Sequence, residues 1–299
     1  MSDVQRLHHG LEQLVLLDDR NGGHRALEKA ALSGVGGALD LQRKGSATQR
    51  VRQRLYGVAA EFTGKAAWAC FDALQFDQAR DHVIRAIELS GMSQDGYVQF
   101  QIWNVLSMVA HRQGAPAEAV AAAQAAQAIP LCRRDPLVAS LAHARTAVAH
   151  SGAWDRQLAL RSLGRAQEAL AKADDAPRPS WLDFYGTAEL MGLTAVVQRR
   201  FGMAAESEAA SHRALAALPG RFRRNRAMVM SGMARAQLSQ GDVDLSYETA
   251  SAVLALMDGT SLPTRLRTAL DGYHRDLLRT APHSVQANEW PDQMRTKGS

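Results

Sequence analysis

The segment from residue 99 to residue 131 places large and small side chains at the spacing expected of two packed helices. With Phe100 taken as position 1, a large ring falls at position 4, a leucine at 7, small residues at 8, 20 and 27, and a proline ends the unit. These residues are Trp103, Leu106, Ser107, Ala119, Ala126 and Pro130. Small residues let two helix axes approach closely, and proline cannot continue a helix. The segment therefore predicts two antiparallel helices joined by a short turn.

This spacing is that of a tetratricopeptide unit, a helical hairpin that recurs about every 34 residues. Turn glycines recur at Gly114, Gly152, Gly202 and Gly241, which are 38, 50 and 39 residues apart. We predict an all-α, right-handed tetratricopeptide-like solenoid of about five hairpins, with an N-terminal helical pair and a C-terminal capping helix. The units are predicted at residues 60–91, 100–131, 136–173, 180–219 and 225–257, with the cap at 263–278. Residues 1–279 would form one repeat domain, and the polar tail at 280–299 is expected to be disordered.

Composition fits such a protein and narrows the classes of partner. The chain is 46% apolar with a formal net charge of +5, which favours anionic partners weakly and does not by itself indicate nucleic acid. No apolar run reaches the roughly 18 residues typical of a membrane span, and the N-terminus lacks a signal-peptide pattern. We therefore expect a cytoplasmic protein. Cys70 and Cys132 lack ligand-like spacing and are interpreted as buried thiols in a reducing compartment.

No catalytic or metal-binding motif stands out in the sequence. The ten histidines form no His-Glu-x-x-His motif, and His143 and His150 lie two turns apart with no acidic residue at ligand spacing. The chain also lacks a phosphate-binding loop and a nucleophile elbow. We predict a non-enzymatic protein with no cofactor and no metal. An enzyme would require a pocket that holds a strongly shifted titrating pair.

The inner face of the repeats is the candidate binding groove, because positions 2, 5, 9, 12 and 13 of the first helix line it in tetratricopeptide units. The candidates on this face are Trp68, Phe71, Asn104, Met108, His111, Arg112, Arg199, Arg200 and Arg235. The same register adds Glu61, Asp72, Gln101, Glu189 and Met228. Asparagine pairs with both peptide N–H and C=O groups, arginine binds carboxylates, and aromatic rings add apolar area. This mixture suits a peptide, a small anionic metabolite or a protein partner. An error of one residue rotates a side chain by about 100°, which leaves Trp68 and Met108 as core residues in the alternative interpretation.

Two basic segments support a different function, direct nucleic-acid binding. The first contains Arg221, Arg223, Arg224 and Arg226, and the second runs from Arg50 to Arg54. Guanidinium groups can clamp a phosphate or carboxylate, whereas the alternative is a linker that pairs with neighbouring helix ends. The Arg50 segment lacks the compact helix-turn-helix pattern that docks in a major groove. A short basic patch neutralises few phosphates, so its contact with a duplex would be weak and salt-dependent.

Four motifs follow one another in a recognisable order. They are Leu17-Asp18-Asp19-Arg20-Asn21-Gly22-Gly23, then Trp68-Ala69-Cys70-Phe71-Asp72 with Asp77-Gln78-Ala79, then Trp181-Leu182-Asp183-Phe184 with Ala188-Glu189-Leu190, and Arg223-Arg224-Asn225-Arg226-Ala227. Together they resemble the C-terminal, tetratricopeptide-like sensor region of actinobacterial helix-turn-helix (Xre-type) transcription regulators. The resemblance implies signal sensing and a role in transcription regulation. Such regulators carry a DNA-binding domain before this region, whereas here the region begins at once, so we expect no direct DNA contact from this chain alone. The terminal helices are candidates for a homodimer interface.

Overall fold

The computed structural model describes residues 3–21, 25–44, 47–260 and 262–297, and within these ranges it contains fourteen α-helices and no β-strand. The helices are α1 (Asp3–Asn21), α2 (Arg25–Lys44), α3 (Gln49–Asp72), α4 (Phe76–Ser93), α5 (Gly96–Arg112), α6 (Pro116–Ala128), α7 (Pro136–Gly152), α8 (Arg156–Leu170), α9 (Thr187–Arg200), α10 (Ala204–Ala217), α11 (Arg223–Ser239), α12 (Val243–Leu256), α13 (Thr264–Thr280) and α14 (Val285–Lys297). The prediction of an all-α fold is confirmed. Gly22 and Gly23 of the first motif, and the last two residues of the tail, lie outside the described residues. None of the described helices is long and apolar enough to cross a membrane.

Consecutive helices pack against one another in two compact units, residues 1–153 and 154–299. In the first unit, each helix from α1 to α6 packs on the next, and α6 packs on α7. In the second unit the contacts run from α8 through α12, after which α13 packs on α11 and α14 on α12 and α13. Because helices two apart also touch, as α3 and α5 do, the contacts are those of stacked hairpins. A single domain bounded at residues 1–279 stays a prediction.

Small residues mark the crossing of the two helices in a hairpin. The Ser107 hydroxyl on α5 donates a hydrogen bond to the Ala119 carbonyl on α6, with 2.9 Å between the oxygens. The Ser207 hydroxyl on α10 donates to the Ala195 carbonyl on α9 at the same distance. A side-chain hydroxyl can reach another helix's backbone only where the two helices are close. The small positions that first indicated a hairpin are therefore the positions of helix contact.

The hairpin turns share one backbone feature, a residue in the left-handed region. These residues are Leu74 (φ 60°), Gly114 (φ 74°), Trp154 (φ 61°), Gly202 (φ 73°) and Gly241 (φ 87°). In four turns, the next N–H donates to the carbonyl five residues earlier, which is the C-terminal motif that ends many helices. The predicted turn glycine Gly152 requires correction. It is the last residue of α7, and Trp154 adopts the left-handed conformation instead.

The C-terminal tail is helical, which corrects the expected disorder from residue 280 onwards. Helix α14 carries Trp290, whose side chain is fully buried. Its ring packs edge-on against Tyr273, with 5.0 Å between centroids, and against Tyr247 at 6.1 Å. The tail is polar in composition, but one large buried ring supplies apolar area that an average over the segment conceals.

A glycine brings α2 close to α3. A Cβ atom on Gly34 would lie 2.5 Å from the Phe62 ring, closer than two carbon atoms can approach without a shift. Phe62 is 3% exposed and belongs to a core cluster with Leu27, Ala31 and Val35. Glycine at position 34 leaves the space that this ring occupies, so the two helices can approach closely. This approach places the side chains of α2 within reach of those on α3 and α4.

Candidate functional site

The aromatic part of the predicted groove lies on α3 and consists of one half-buried and one buried ring. Trp68 is half-buried and stacks on Phe71, with 5.2 Å between ring centroids and 25° between planes. Phe71 is only 2% exposed and packs in a core cluster with residues of α4 and α5. Phe71 therefore packs against Trp68 on its core side and has almost no accessible surface for a ligand. The prediction that Phe71 lines an open groove is corrected. Met108 on α5 is half-buried against the same cluster.

The polar part of the predicted groove follows α5, which begins where the Asp95 carboxylate accepts hydrogen bonds from two backbone N–H groups of the first turn. Gln101, Asn104, Met108 and His111 lie three or four residues apart and so share one face of this helix. Asn104 is 7% exposed. Its Oδ1 atom and the Oε1 atom of Gln101 are buried, and neither accepts a hydrogen bond from any residue that the structure describes. Leaving a buried acceptor unsatisfied costs about 1–3 kcal/mol, so a rotation of either side chain that brings its oxygen to the surface and to an N–H donor is favoured.

The last turn of α5 carries two basic side chains, which lie at the C-terminal end of this row. His111 is half-buried and Arg112 is exposed there. Cations near a helix C-terminus are favoured by the helix dipole. The row on α5 therefore runs from buried amide oxygens to an exposed basic end.

The remaining candidates lie in the second unit. Arg199 is half-buried and Arg200 exposed in the last turn of α9, and partial desolvation lowers the pKa of Arg200 from its usual value. Arg235 on α11 donates through Nε to the Asp276 carboxylate on α13 at 2.7 Å. A ligand carboxylate would have to compete with Asp276 for that guanidinium. The structure thus gives Arg235 a partner within the protein that the sequence did not indicate.

Two arginines of the basic segment bind the ends of neighbouring helices. The Arg223 guanidinium donates to the Leu256 carbonyl, at the end of α12, with 3.0 Å from Nε to oxygen. Arg226 donates through Nη1 to the carbonyls of Leu215 and Leu218, at the end of α10, at 2.9 Å each. These contacts satisfy carbonyls that lack partners in their own helices. These contacts agree with the alternative interpretation of the basic segment, in which it is a linker whose arginines pair with neighbouring helix ends.

The other arginines of the two basic segments lie on the surface or near it. The Arg221 guanidinium sits 4.8 Å from the centroid of the Phe222 ring, a cation–π contact. Arg224 is half-buried. Arg50 and Arg54 are exposed on the first turns of α3. Arg50 and Arg54 lie in the first unit, and the basic segment at residues 221–226 lies in the second. Each segment taken by itself is a small basic patch.

Glu61 on α3 has a half-buried carboxyl group, at a position that the groove register includes. Burial, and secondarily the charge of Asp95, raise the pKa of Glu61 to about 7. The His8 Nε2 atom lies 3.9 Å from its carboxylate. A carboxyl group held near neutrality can change its charge within the physiological range.

A group of three potential metal ligands was missed by the sequence analysis. Glu28 on α2, Cys70 on α3 and His82 on α4 place a carboxylate oxygen, a sulfur and an imidazole nitrogen within 4.8 Å of one another. His82 Nε2 and Glu28 Oε1 are 2.9 Å apart and share a hydrogen bond. Burial, and the neighbouring Glu28, raise the pKa of the Cys70 thiol to about 12. The three residues are far apart in sequence, so no short motif could have revealed them.

Comparisons with known proteins bear on the fold. No protein-family model matches the chain, and no curated protein matches its sequence. Among solved structures, the chain is similar to the crystal structure of a Rap protein complexed with Competence and Sporulation Factor. The TM-score is 0.60 with 12% sequence identity, over 98% of this chain and 87% of that one. The fold is a tetratricopeptide-like helical repeat. At this identity the similarity concerns the fold alone.

Proposed function

We propose that this tetratricopeptide-like protein is a non-enzymatic interaction domain that binds a peptide, or an extended segment of a protein partner, on the face formed by α3 and α5. The observation that carries the proposal is the pair of buried, unsatisfied acceptors on Gln101 and Asn104. An extended peptide carries backbone N–H groups that can donate to such oxygens. The half-buried Trp68 and Met108 on the same core cluster supply apolar contact for peptide side chains.

The basic end of α5 favours an acidic ligand group at that end. Arg112 is exposed there, and arginine binds carboxylates through paired N–H donors. A small anionic metabolite would use that end alone, whereas a peptide would also use the amide oxygens about two to three turns away. The buried oxygens therefore favour the peptide over the metabolite.

A role in regulation is the broader part of the proposal. The Rap protein of similar fold was crystallised with Competence and Sporulation Factor, which supports the use of such a fold for recognition. The resemblance to the sensor regions of Xre-type transcription regulators supports regulation as the context. A bound ligand would act by favouring one arrangement of the helices over another, since it can shift an equilibrium only by its difference in affinity for the two states. Direct nucleic-acid binding is less favoured, because Arg223 and Arg226 already bind helix ends.

The test is selection of binding peptides from a random library, followed by affinity measurement by fluorescence anisotropy with two variants. Asn104→Ala removes one of the unsatisfied oxygens. We expect it to weaken the selected peptides roughly tenfold, since one hydrogen bond within a largely buried site is worth about 1–3 kcal/mol.

Gln99→Ala is the matched control on the same helix. The Gln99 amide donates to the Ser90 carbonyl within the protein at 3.4 Å, so its loss should leave peptide affinity unchanged. Circular dichroism checks that both variants fold. Equal affinity of the wild type and Asn104→Ala, or failure of any selected peptide to bind the wild type in solution, would contradict the proposal.

A further inference from the structure

Three helices of the first unit direct ligand-type side chains at one point. Glu28 comes from α2, Cys70 from α3 and His82 from α4, and their oxygen, sulfur and nitrogen atoms lie within 4.8 Å of one another. The close approach of α2 to α3 at Gly34 holds the first two helices together, and α3 and α4 form one hairpin. The three side chains are therefore positioned by rigid elements rather than by loops, which is the arrangement that metal sites require.

We propose that Glu28, Cys70 and His82 form a zinc-binding site, with the fourth tetrahedral position open to water. Three protein ligands and one open position are a known arrangement for zinc, and sulfur, imidazole nitrogen and carboxylate oxygen are its three kinds of protein ligand. Calcium and magnesium prefer oxygen ligands alone, so the thiol and the imidazole disfavour them.

The geometry requires only small movements to accept the ion. Zinc lies about 2.0–2.3 Å from its ligand atoms, so two ligands of a tetrahedral site stand about 3.3–3.8 Å apart. The three atoms already lie within 4.8 Å of one another, and His82 Nε2 is 2.9 Å from Glu28 Oε1. Moving each pair to the required distance takes shifts of about 1 Å or less, within the reach of side-chain rotation.

Exposure gives the ion a route to the site. The side chains of His82 and Glu28 are 19% and 16% exposed, whereas Cys70 is buried beneath them. Zinc would enter on the imidazole and carboxylate side and complete its coordination on the sulfur. Cys70 belongs to a buried apolar cluster that includes Ala67 and Val83, and this cluster limits water at that end.

Charge balance also favours a dication. In the site, Zn²⁺ binds a thiolate, a carboxylate and a neutral imidazole, so the assembly carries no net charge. The thiol proton is released to solvent when the sulfur–zinc bond forms, and the Glu28–His82 hydrogen bond is exchanged for two bonds to the metal. A neutral assembly costs little to hold in a half-buried position.

The experiment titrates the full chain, first stripped with a chelator, with Zn²⁺ alone by calorimetry, and with Co²⁺ by absorption spectroscopy. Cobalt reports the ligands directly, because a cobalt–thiolate bond gives a charge-transfer band in the near ultraviolet. We expect one equivalent of zinc, a cobalt–thiolate band, and a higher melting temperature in the presence of zinc.

Three variants decide which residues hold the metal. Cys70→Ser should abolish the charge-transfer band and weaken zinc binding by roughly 100-fold, since even the loss of a supporting residue costs 10–100-fold. Glu28→Gln, a milder change at a half-buried side chain, should weaken zinc while keeping the band, and it covers the case in which Cys70→Ser fails to fold. Cys132→Ala removes the other thiol and should change neither. A wild type that binds no zinc, or that binds it as tightly as Glu28→Gln does, or a band that depends on Cys132, would overturn the proposal.

Discussion

Replacing Glu61 with glutamine should remove a large part of the pH dependence of stability. The carboxyl group lies on α3, where burial and the charge of Asp95 raise its pKa to about 7 from an ordinary value of 4.5. The folded protein thus holds the proton more tightly than the unfolded chain does. The stabilisation from the protonated form is fully present below pH 4.5 and is lost as the pH rises through about 7.

The size of the effect follows from these two values. The difference between an ordinary 4.5 and a folded pKa of about 7 is roughly two and a half units, and each unit corresponds to about 1.4 kcal/mol. The wild type should therefore lose about 3 kcal/mol of stability between acid and mildly alkaline pH through this group alone. Glutamine is neutral throughout and escapes that loss, so the variant should gain on the wild type as the pH rises.

The measurement is urea unfolding followed by circular dichroism, from pH 5 to pH 8, for the wild type and Glu61→Gln. The quantity of interest is the change with pH in the difference between their unfolding free energies, which is insensitive to any constant cost of the amide. Glu88→Gln, an exposed change on α4, controls for the loss of one negative charge. A difference that stays constant from pH 5 to pH 8, or that moves against the variant at high pH, would refute the argument from burial.

Four further substitutions test stability, each by urea or thermal unfolding. Trp290→Ala should cost about 3–5 kcal/mol by removing a fully buried ring, and limited proteolysis should then cut within residues 285–297. Gly114→Ala should cost about 1 kcal/mol because its φ is +74°, although no atom lies within 4 Å of the new methyl group. By contrast, Gly91→Ala, at an exposed position of α4, should stabilise the folded protein by up to about 1 kcal/mol. Ser107→Ala should cost about 1 kcal/mol by removing the hydrogen bond that the hydroxyl donates to the Ala119 carbonyl. Equal effects of the two glycine changes would contradict the role given to backbone conformation.

The hairpins were predictable from the sequence because their signal is local. Small residues at helix crossings, such as Ser107 and Ala119, follow from the geometry of two helices and recur with the repeat. The sequence placed the turn at Gly152, two residues before the residue that has a positive φ, Trp154. A bulky residue is uncommon in the left-handed region, so the sequence pattern pointed to the nearby glycine. The buried Trp290 was missed because its partners, Tyr247 and Tyr273, lie on other helices.

The candidate sites were less predictable, because they depend on which side chains already have partners. Arg235 looks the same in sequence whether it faces solvent or binds Asp276, and only the fold decides. The same holds for Phe71, because a shift of one residue along the helix decides whether a side chain faces the groove or the core. The group formed by Glu28, Cys70 and His82 depends on three helices, so no spacing within one segment records it.

The first turn of α11 holds the ends of the helices on both sides of it, since Arg226 reaches the end of α10 and Arg223 the end of α12. Recombination with a junction just before α11 would separate Arg226 from its carbonyls at the end of α10, whereas Arg223 and the Leu256 carbonyl would stay together within the hairpin of α11 and α12. The smallest block that could be transplanted intact there runs from α10 through Asp258, whose carbonyl also accepts from Arg223. The module that could be exchanged intact in this part of the chain is thus one helix longer than the visible hairpin repeat.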